Sequence, residues 1–300
     1  MYEPTHKLIH KTKKLVDVRQ TFEYAKFLKK LGWQVKKINP NNQVFIKKLS
    51  PTPFTLAKIL RGDLIDLITL KNISKKNKTL FIKIQPFIKT QSKLKNFKFK
   101  HDKNPLIPTK TVWIDLTKTK AQMLKLVKPK TRYNIKLAKK KKVLIKIVYG
   151  NQISRQKLKD FYNLWKKNKP YNFLFKPSFK ELECLVSSFG KKCFFILTYK
   201  AKLLSGVLIL TSPDMAFYWH NCSNLEAKKL FAPTLCVWQA ILESKKLGLK
   251  IFDFEGIWDK RFPKLNKGWQ GFSRFKKSFG GKEVEFIAPL IYKLLLPSWT

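Results

Sequence analysis

The stretch GFSRFKKSFGG at residues 271–281 decides how this chain is interpreted. Its three phenylalanines alternate with cations, and the run stops at a pair of glycines. We expect the aromatic side chains to anchor a short turn or helix in a core, which leaves the cations Arg274, Lys276 and Lys277 facing an anionic group. A second basic run, KPKTRYNIKLA, occupies residues 128–138.

The composition is that of a folded and strongly basic chain. Its 300 residues suffice for two domains of ordinary size, and 44% of them are hydrophobic. Lys and Arg total 64 against 18 Asp and Glu, which gives a formal net charge of +46. Only six of the cations are Arg, whereas specific readers of carboxylates and nucleic acids favour the bidentate guanidinium. The lysine excess therefore reflects in part a coding bias, yet a field this positive attracts polyanions whatever its origin.

Cysteine and histidine usage argues against metal and triad chemistry. The four Cys and four His form neither a C-x-x-C pair nor a cluster at metal-ligand spacing. The thiols are interpreted as buried and free in a reducing compartment. No signal-peptide pattern and no apolar run long enough to span a bilayer is found in the sequence. We expect a cytoplasmic protein, with peripheral contact at the inner face of the cell membrane as a further option.

Hydrophobic periodicity predicts helices and strands in both halves of the chain. In the first half it predicts helices at 18–31, 120–127 and 130–141, strands at 33–38, 44–49, 79–85, 111–116 and 143–148, and a long surface loop at 87–108. In the second half it predicts helices at 154–167, 178–189 and 233–246, and strands at 193–199, 202–210, 215–221, 251–254 and 283–287. The second half follows the element order of an acetyltransferase-like (GNAT) unit, and the first half follows a looser version of it. We place the boundary near 149–153, which gives one GNAT-like unit at 1–150 and another at 151–300.

The two basic runs resemble the paired signatures of the Fem-type (FemABX) aminoacyltransferases, which add amino acids to the stem peptide of peptidoglycan precursors. The resemblance extends from Gln20 to Ala288. It implies an α/β fold of two tandem GNAT-like units, in which mixed sheets are flanked by helices. The long coiled-coil arm of some members is not expected, because the second half contains no sustained heptads.

In this family, a Phe-Lys pair in the C-terminal motif supplies the catalytic cation, and the matching residues here are Phe275 and Lys276. Amide formation passes through a tetrahedral intermediate with a negatively charged oxygen, which a fixed cation in a water-poor site stabilises. An activated ester donor requires neither a nucleophilic side chain nor a metal. The alternative is that Lys276 is one exposed lysine among many.

The resemblance also implies residues that bind the substrates. Lys26 is a candidate for a phosphate-binding lysine on the early helix of the family. Lys176 stands where the family has an arginine that grips the nucleotide diphosphate, and Tyr218 matches a tyrosine that contacts substrate, with core packing as the alternative. Asp253 matches an aspartate at a strand end and either orients an amine or compensates nearby lysines. Arg274 completes this set from the C-terminal motif.

The second basic run adds two candidates. A helix that begins at Pro129 places its first-turn amides near Lys130 and Arg132, which suits a phosphate or carboxylate. A solvated basic helix is the alternative. One position departs from the family pattern: some members carry an acidic residue before a proline at a strand end, and this chain has Gln85-Pro86. A general base at that position would be missing.

Three functions stay open on the sequence. The first is transfer of an amino acid from aminoacyl-tRNA, as co-substrate and without a cofactor, to a peptidoglycan precursor such as UDP-MurNAc-pentapeptide or lipid II. The second is a CoA-dependent GNAT N-acyltransferase, which the lack of glycine at residues 223–233 disfavours. The third is a non-catalytic protein that binds nucleic acid or an anionic membrane surface and keeps a degenerate transferase fold.

Overall fold

A computed structural model describes residues 15–62, 66–87, 99–168, 177–264 and 268–293. These form two compact units, named here for the longest segment of each. The N-terminal unit is built on Arg19–Lys110 and the C-terminal unit on Thr111–Ile257. The segments after Ile257 are divided between them, because Lys267–Val284 belongs to the C-terminal unit and the residues from Glu285 onward belong to the N-terminal unit.

The described residues contain the following regular elements. The α-helices are α1 (Phe22–Lys30), α2 (Leu67–Lys76), α3 (Lys120–Leu126), α4 (Pro129–Lys140), α5 (Arg155–Lys167), α6 (Phe179–Phe189), α7 (Leu225–Lys229), α8 (Ala232–Lys246) and α9 (Trp269–Lys277). The strands are β1 (Gln34–Asn39), β2 (Asn42–Lys48), β3 (Thr55–Gly62), β4 (Thr79–Pro86), β5 (Lys100–His101), β6 (Lys110–Asp115), β7 (Leu144–Tyr149), β8 (Cys193–Tyr199), β9 (Leu203–Thr211), β10 (Met215–Ser223), β11 (Ile251–Asp253), β12 (Lys282–Glu285) and β13 (Leu290–Lys293). Short 3₁₀ turns lie at Val18–Gln20 and Gly190–Lys192.

The N-terminal unit contains a six-stranded mixed sheet in the order β1-β2-β3-β4-β13-β5. β3 and β4 run parallel and are joined by α2, whereas the other neighbouring strands are antiparallel. One face packs on α2, where Ile46, Ile59 and Leu70 share a core. On the other face the ring of Phe45 meets Tyr24 of α1 edge-on, with centroids 5.7 Å apart. A helix therefore covers each face of this sheet.

The C-terminal unit contains a seven-stranded mixed sheet in the order β12-β6-β11-β10-β9-β8-β7. β10 and β11 form its parallel pair and are connected through α7 and α8. Most residues of α8 are buried, and its Leu235 and Ile241 lie in one core with Ile135 of α4. The predicted α/β fold of tandem GNAT-like units is thus confirmed, and no coiled-coil arm occurs in the residues that the structure describes.

Both sheets share one order of elements. Three antiparallel strands, a helical connection and a fourth strand parallel to the third occur as β1-β2-β3-α2-β4 and again as β8-β9-β10-α8-β11. In each sheet the fifth strand comes from the other half of the chain. β13 pairs with β4 through Leu290 opposite Ile84, and β6 pairs with β11 through Asp115 opposite Ile251. The first half of the chain therefore contributes β6 and the edge strand β7 to the C-terminal sheet, and the second half contributes β13 to the N-terminal sheet.

This exchange makes the compact units differ from a division of the chain at residue 150. Residues 111–149 lie in the C-terminal unit, because β6 completes its sheet and Ile135 of α4 enters its core. β13 lies in the N-terminal unit for the corresponding reason. Periodicity identifies β6 but does not identify β13, and it contains no information on which sheet receives a strand.

Most predicted elements are confirmed to within a few residues. The expected capping box of Ser178 and Glu181 begins α6, and Pro129 occupies the first turn of α4. The sequence pattern assigns nothing to β3 and α2, because the end of β3 is buried on both faces and shows no clean alternation. Within the predicted loop at 87–108, Lys100–His101 form β5 and residues 88–98 lie outside the described residues.

Gln85 has a structural role at the end of β4. Its side chain is buried, and Oε1 accepts from the amides of Leu106 at 2.7 Å and Ile107 at 2.8 Å. Nε2 donates to the Ile107 carbonyl at 2.8 Å. An amide can accept and donate at once, whereas an ionised carboxylate can only accept. The departure from the family's acidic residue therefore creates a clamp on the backbone at residues 106–107.

Gln85→Glu is expected to lower the free energy of unfolding by about 1–3 kcal/mol, because a carboxylate would leave the partly buried Ile107 carbonyl facing an anion. Urea denaturation at pH 7 should show a lower midpoint. Gln122→Glu is the matched control, since its oxygen at the start of α3 only accepts, from the amide of Thr119 at 2.8 Å. A Gln85→Glu midpoint equal to that of the wild type would contradict the clamp.

Candidate active site

The candidate site lies where β10 and β11 part. Their parallel pairing ends at Phe217 opposite Asp253, and β10 has an irregularity between Tyr218 and His220. β10 continues to Ser223 against β9, while the chain beyond β11 turns away. Strands that part leave backbone carbonyls in need of donors. This separation therefore produces a recess and a set of acceptors together.

Lys276 of α9 supplies the donors at this point. Its Nζ donates to the carbonyl oxygen of Phe254 at 2.5 Å and of Gly256 at 2.6 Å. The ammonium also lies 4.1 Å from the centroid of the Phe272 ring, and the whole residue is only 2% exposed. Hydrogen bonds and cation–π contact stabilise a charge that burial alone would disfavour.

The burial of Lys276 corrects one expectation. The phenylalanines of the C-terminal motif do anchor a helix, and Phe279 is fully buried. Lys276 shares their inner face, because residues 272, 276 and 279 recur at the helical period. Of the other cations, Arg274 is exposed and Lys277 pairs with Glu283 at 2.5 Å. The motif therefore presents one of its cations to the interior.

A cavity of about 330 Å³ is lined by two aromatic residues whose rings lie near the Lys276 ammonium, although Lys276 itself is not among the described lining residues. Its walls come from β9, β10, the start of α8 and α9, and they include Tyr218, Asn221, Phe231, Thr234, Phe272 and Phe275. Nζ of Lys276 lies 5.5 Å from the Tyr218 centroid and 4.1 Å from that of Phe272. Two rings of the wall thus touch the buried cation. The described lining contains no carboxylate, and its charged residue is Lys228.

Tyr218 presents a neutral phenol to this cavity. Burial, with smaller contributions from Cys236 and Cys222, raises the pKa of Tyr218 well above its ordinary value of 10.0. No hydrogen bond joins its hydroxyl to another described residue. A neutral phenol can both donate and accept. The cavity wall therefore combines a nearby cation with a hydroxyl donor.

Asp253 organises the strand end beside Lys276. Oδ1 accepts from the Thr111 hydroxyl at 2.5 Å and the Glu255 amide at 2.7 Å, and Oδ2 accepts from the Trp113 indole at 2.8 Å. The carboxyl is buried, and desolvation followed by the charge of Glu255 raises its pKa to about 6. These three donors hold the Asp253 carboxyl group against β6 and against the turn that contains Gly256.

Arg132 and Lys130, which the sequence predicts to bind substrate, are not among the residues that line this cavity. Arg132 donates to the carbonyls of Val127 at 2.7 Å and Lys125 at 3.1 Å, and its guanidinium therefore caps α3. Lys130 is exposed in the first turn of α4. Lys26 is exposed on α1 of the N-terminal unit. Lys176 lies outside the described residues, so its predicted role stays a prediction.

A basic surface on α4 is linked to the cavity wall through Lys141, a contact that no sequence pattern predicts. No Asp or Glu occurs between Asp115 and Asp160. Lys141, which follows α4, donates to the Lys229 carbonyl at 2.9 Å and lies 5.3 Å from the Phe231 ring, which lines the cavity. The exposed lysines of α4, termed the α4 basic surface, are Lys130, Lys136, Lys139 and Lys140.

The start of α8 is poorly suited to a pyrophosphate. Phe231 precedes the helix with a φ of 57°, and Pro233 in the first turn has no backbone N–H. The Thr234 amide donates to the Phe231 carbonyl at 3.1 Å. Anion sites at helix N-termini depend on available first-turn amides. This geometry adds to the lack of glycine in disfavouring CoA.

Comparison with solved structures defines the class of this fold. The crystal structure of FemX superposes with a TM-score of 0.79 at 17% identity, over 98% of this chain and 97% of that one. The C-terminal domain (DUF2156) assigned to a lysylphosphatidylglycerol synthetase from Agrobacterium fabrum gives 0.62 at 12% identity, over 96% and 92%. L-PGS from Bacillus licheniformis gives 0.61 at 10%, over 98% and 92%. At these identities the likeness is one of fold.

The FemAB family model matches residues 191–294, which include Lys276 and the cavity residues named above. The resemblance to FemABX-type aminoacyltransferases that the sequence predicts is therefore confirmed over this segment, and the similarity to FemX extends the likeness of fold to nearly the whole chain. No protein of curated function matches the chain at the sequence level. Within the described ranges, no helix has the length and apolarity needed to cross a membrane.

Asp253→Asn is expected to destabilise the protein more at pH 4 than at pH 7. In the variant an amide NH₂ group faces the N–H of the Trp113 indole, so that two donors oppose each other. The loss of this hydrogen bond is expected to lower the free energy of unfolding by about 1–3 kcal/mol. In the wild type the folded carboxyl ionises near pH 6 and the unfolded one near 3.8, so its stabilising contribution is complete below about pH 4 and is lost as the pH rises through 6. Urea denaturation from pH 4 to 7 should show the difference shrinking, and a constant difference would contradict the assignment.

Proposed function

We propose that this protein transfers an amino acid from aminoacyl-tRNA to an amine on the stem peptide of a peptidoglycan precursor. The observation that carries the proposal is the buried ammonium of Lys276, held against two rings of a cavity wall. The match to the FemAB family and the fold of FemX support the choice of acceptor.

The proposed reaction is aminolysis of an ester. The acceptor nitrogen attacks the carbonyl carbon of the aminoacyl group, a C–N bond forms, and the oxygen becomes an oxyanion. The ester C–O bond then breaks, and the ribose hydroxyl of the tRNA leaves with the proton that the amine gives up. The positive charge of Lys276 and the neutral phenol of Tyr218 stabilise the oxyanion, because both are fixed before the reaction begins.

This scheme uses no carboxylate as a general base. The described cavity lining contains none, the oxygens of Asp253 accept internal hydrogen bonds, and Gln85 clamps backbone. We infer that the acceptor amine reacts in its neutral form. Its proton then passes to the departing ribose oxygen directly or through water.

The α4 basic surface supports a polyanionic donor. Lys141 connects it to Phe231 at the cavity wall, so a nucleic acid that lies along α4 can direct its aminoacylated end into the cavity. The absence of acidic residues from 116 to 159 leaves this surface without local repulsion of phosphates.

Lys276→Gln is expected to lower the rate of transfer by about 10²- to 10³-fold, the usual effect of removing one preorganised stabiliser of an oxyanion. Single-turnover transfer of radiolabelled amino acid from charged tRNA to UDP-MurNAc-pentapeptide or lipid II measures this rate. Lys277→Gln is the matched control on the same helix, and it should stay within about twofold because its charge pairs with Glu283.

Circular dichroism melts of both variants establish that they are folded at the assay temperature. A folded Lys276→Gln protein with the wild-type rate would overturn the catalytic assignment. Wild-type protein that transfers to no precursor would overturn the proposed function. Vesicles of phosphatidylglycerol are included as an alternative acceptor. Transfer to these vesicles and to no peptidoglycan precursor would contradict the proposed acceptor but would agree with the proposed transferase activity.

Neutralising the α4 basic surface is expected to weaken donor binding without slowing the chemical step. The triple variant Lys136→Gln, Lys139→Gln, Lys140→Gln should raise KM for aminoacyl-tRNA. The slope of the logarithm of its binding constant against the logarithm of salt concentration should fall by roughly one unit for each of these lysines that contacts a phosphate. The control carries the same change of charge at Lys71, Lys75 and Lys76, which are exposed on α2. Equal effects of the two triple variants would show that net charge, and not this surface, attracts the donor.

A further inference from the structure

The N-terminal sheet carries a row of lysines on the face that α1 covers. Phe45 of β2 is opposite Lys58 of β3, and Lys58 is in turn opposite Lys83 of β4. Lys47, two residues beyond Phe45, points to the same face, because side chains alternate along a strand. Like charges that are direct neighbours in a sheet destabilise it. Packing alone therefore gives no reason for this row.

Two of these lysines have acceptors within the protein. Nζ of Lys83 lies 2.9 Å from a carboxylate oxygen of Asp102 and 3.1 Å from the Asn104 carbonyl. Nζ of Lys47 donates to the Leu31 carbonyl at 2.7 Å. No such acceptor serves Lys58 among the described residues, where its ammonium instead contacts an aromatic ring.

That ring belongs to Trp33, and the end of α1 fixes its position. Gly32 adopts a φ of 75°, and the Trp33 amide donates to the Leu28 carbonyl at 3.0 Å, which is a Schellman closure. Nζ of Lys58 lies 3.9 Å from the Trp33 centroid, and Nζ of Lys47 lies 5.7 Å from it. Two ammonium groups thus converge on one half-buried indole.

The charges around Lys58 oppose its protonation. Desolvation, then the positive charges of Arg19 and Lys47, lower the pKa of Lys58 from 10.5 to about 8. Arg19 is itself buried in the 3₁₀ turn before α1. A cation whose neighbours are cations is stabilised by an anion of matching size.

We propose that Lys58, Lys47 and Trp33 form a binding site for a phosphate group in the N-terminal unit. The indole holds the Lys58 ammonium in place, and the N–H groups of Lys58 and Lys47 bind the phosphate oxygens through charge-assisted hydrogen bonds. This site is separate from Lys26, and it does not rest on the proposed transfer reaction. Its ligand is a phosphate monoester or diphosphate, carried either by a soluble molecule or by a lipid headgroup.

The indole N–H resonance of Trp33 provides a local reporter for the test. The full-length protein, labelled with ¹⁵N and assigned through Trp33→Phe, is titrated with inorganic pyrophosphate and separately with phosphatidylglycerol vesicles at constant ionic strength. The Trp33 resonance should shift saturably with pyrophosphate, and Lys58→Met should weaken this binding at least about tenfold. Lys36→Met, an exposed lysine of β1, should change it less than about twofold.

A response to vesicles alone supports the site with a lipid headgroup as its ligand. A shift that sodium chloride reproduces, or one that survives Lys58→Met, would overturn the proposal. Thermal melts provide a second measurement. The pKa of Lys58 is lower in the folded protein than in the unfolded chain, so the charged side chain destabilises the fold at pH 7. Without phosphate, Lys58→Met should therefore melt at a higher temperature than the wild type. Pyrophosphate should then raise the Tm of the wild type and not that of the variant, and a variant that melts lower and still responds would also count against the site.

Discussion

The ammonium of Lys276 occupies the place where two parallel strands separate, and the rest of the C-terminal unit is arranged around it. A continued β10–β11 ladder would satisfy the carbonyls of Phe254 and Gly256, but it would also close the recess. The lysine supplies hydrogen bonds to both carbonyls and so permits the strands to diverge. Its charge is then fixed in a low-dielectric setting by rings that also line the cavity. A structural requirement and a chemical one thus meet in a single side chain.

The few carboxylates of this basic chain are used mainly to hold segments that are distant in sequence. Asp253 joins the end of β11 to Thr111 and Trp113 of β6. In the N-terminal unit, Asp259 accepts from the Thr109 hydroxyl at 2.6 Å and pairs with Arg261 at 2.6 Å. Acidic groups therefore secure the strand connections, while the described cavity wall is free of them. This distribution leaves an oxyanion in the cavity without a like charge in the wall.

Much of the fold and the central residue of the site could be predicted from the sequence, because both depend on local patterns. The phenylalanine spacing around Lys276 fixes a helix with a buried face, and Ser178 with Glu181 marks a helix start. Pairing at long range leaves no such pattern, so the destination of β6 and β13 could not be inferred. The cavity wall also includes Phe231, whose left-handed backbone could not be predicted because phenylalanine is not a residue type that favours this conformation.

The exchange of strands has a consequence for how the chain matures on the ribosome. The N-terminal sheet contains β1 to β4 early in synthesis, but β4 acquires its neighbour β13 only when residues 290–293 emerge. Until then the edge of β4 presents unpaired amides and carbonyls, a state that invites association with other strands. The nascent protein therefore carries an open edge from the completion of β4 at Pro86 until the synthesis of β13 at Leu290–Lys293. Lys83 on that strand places a charge at the edge, a common device against premature pairing.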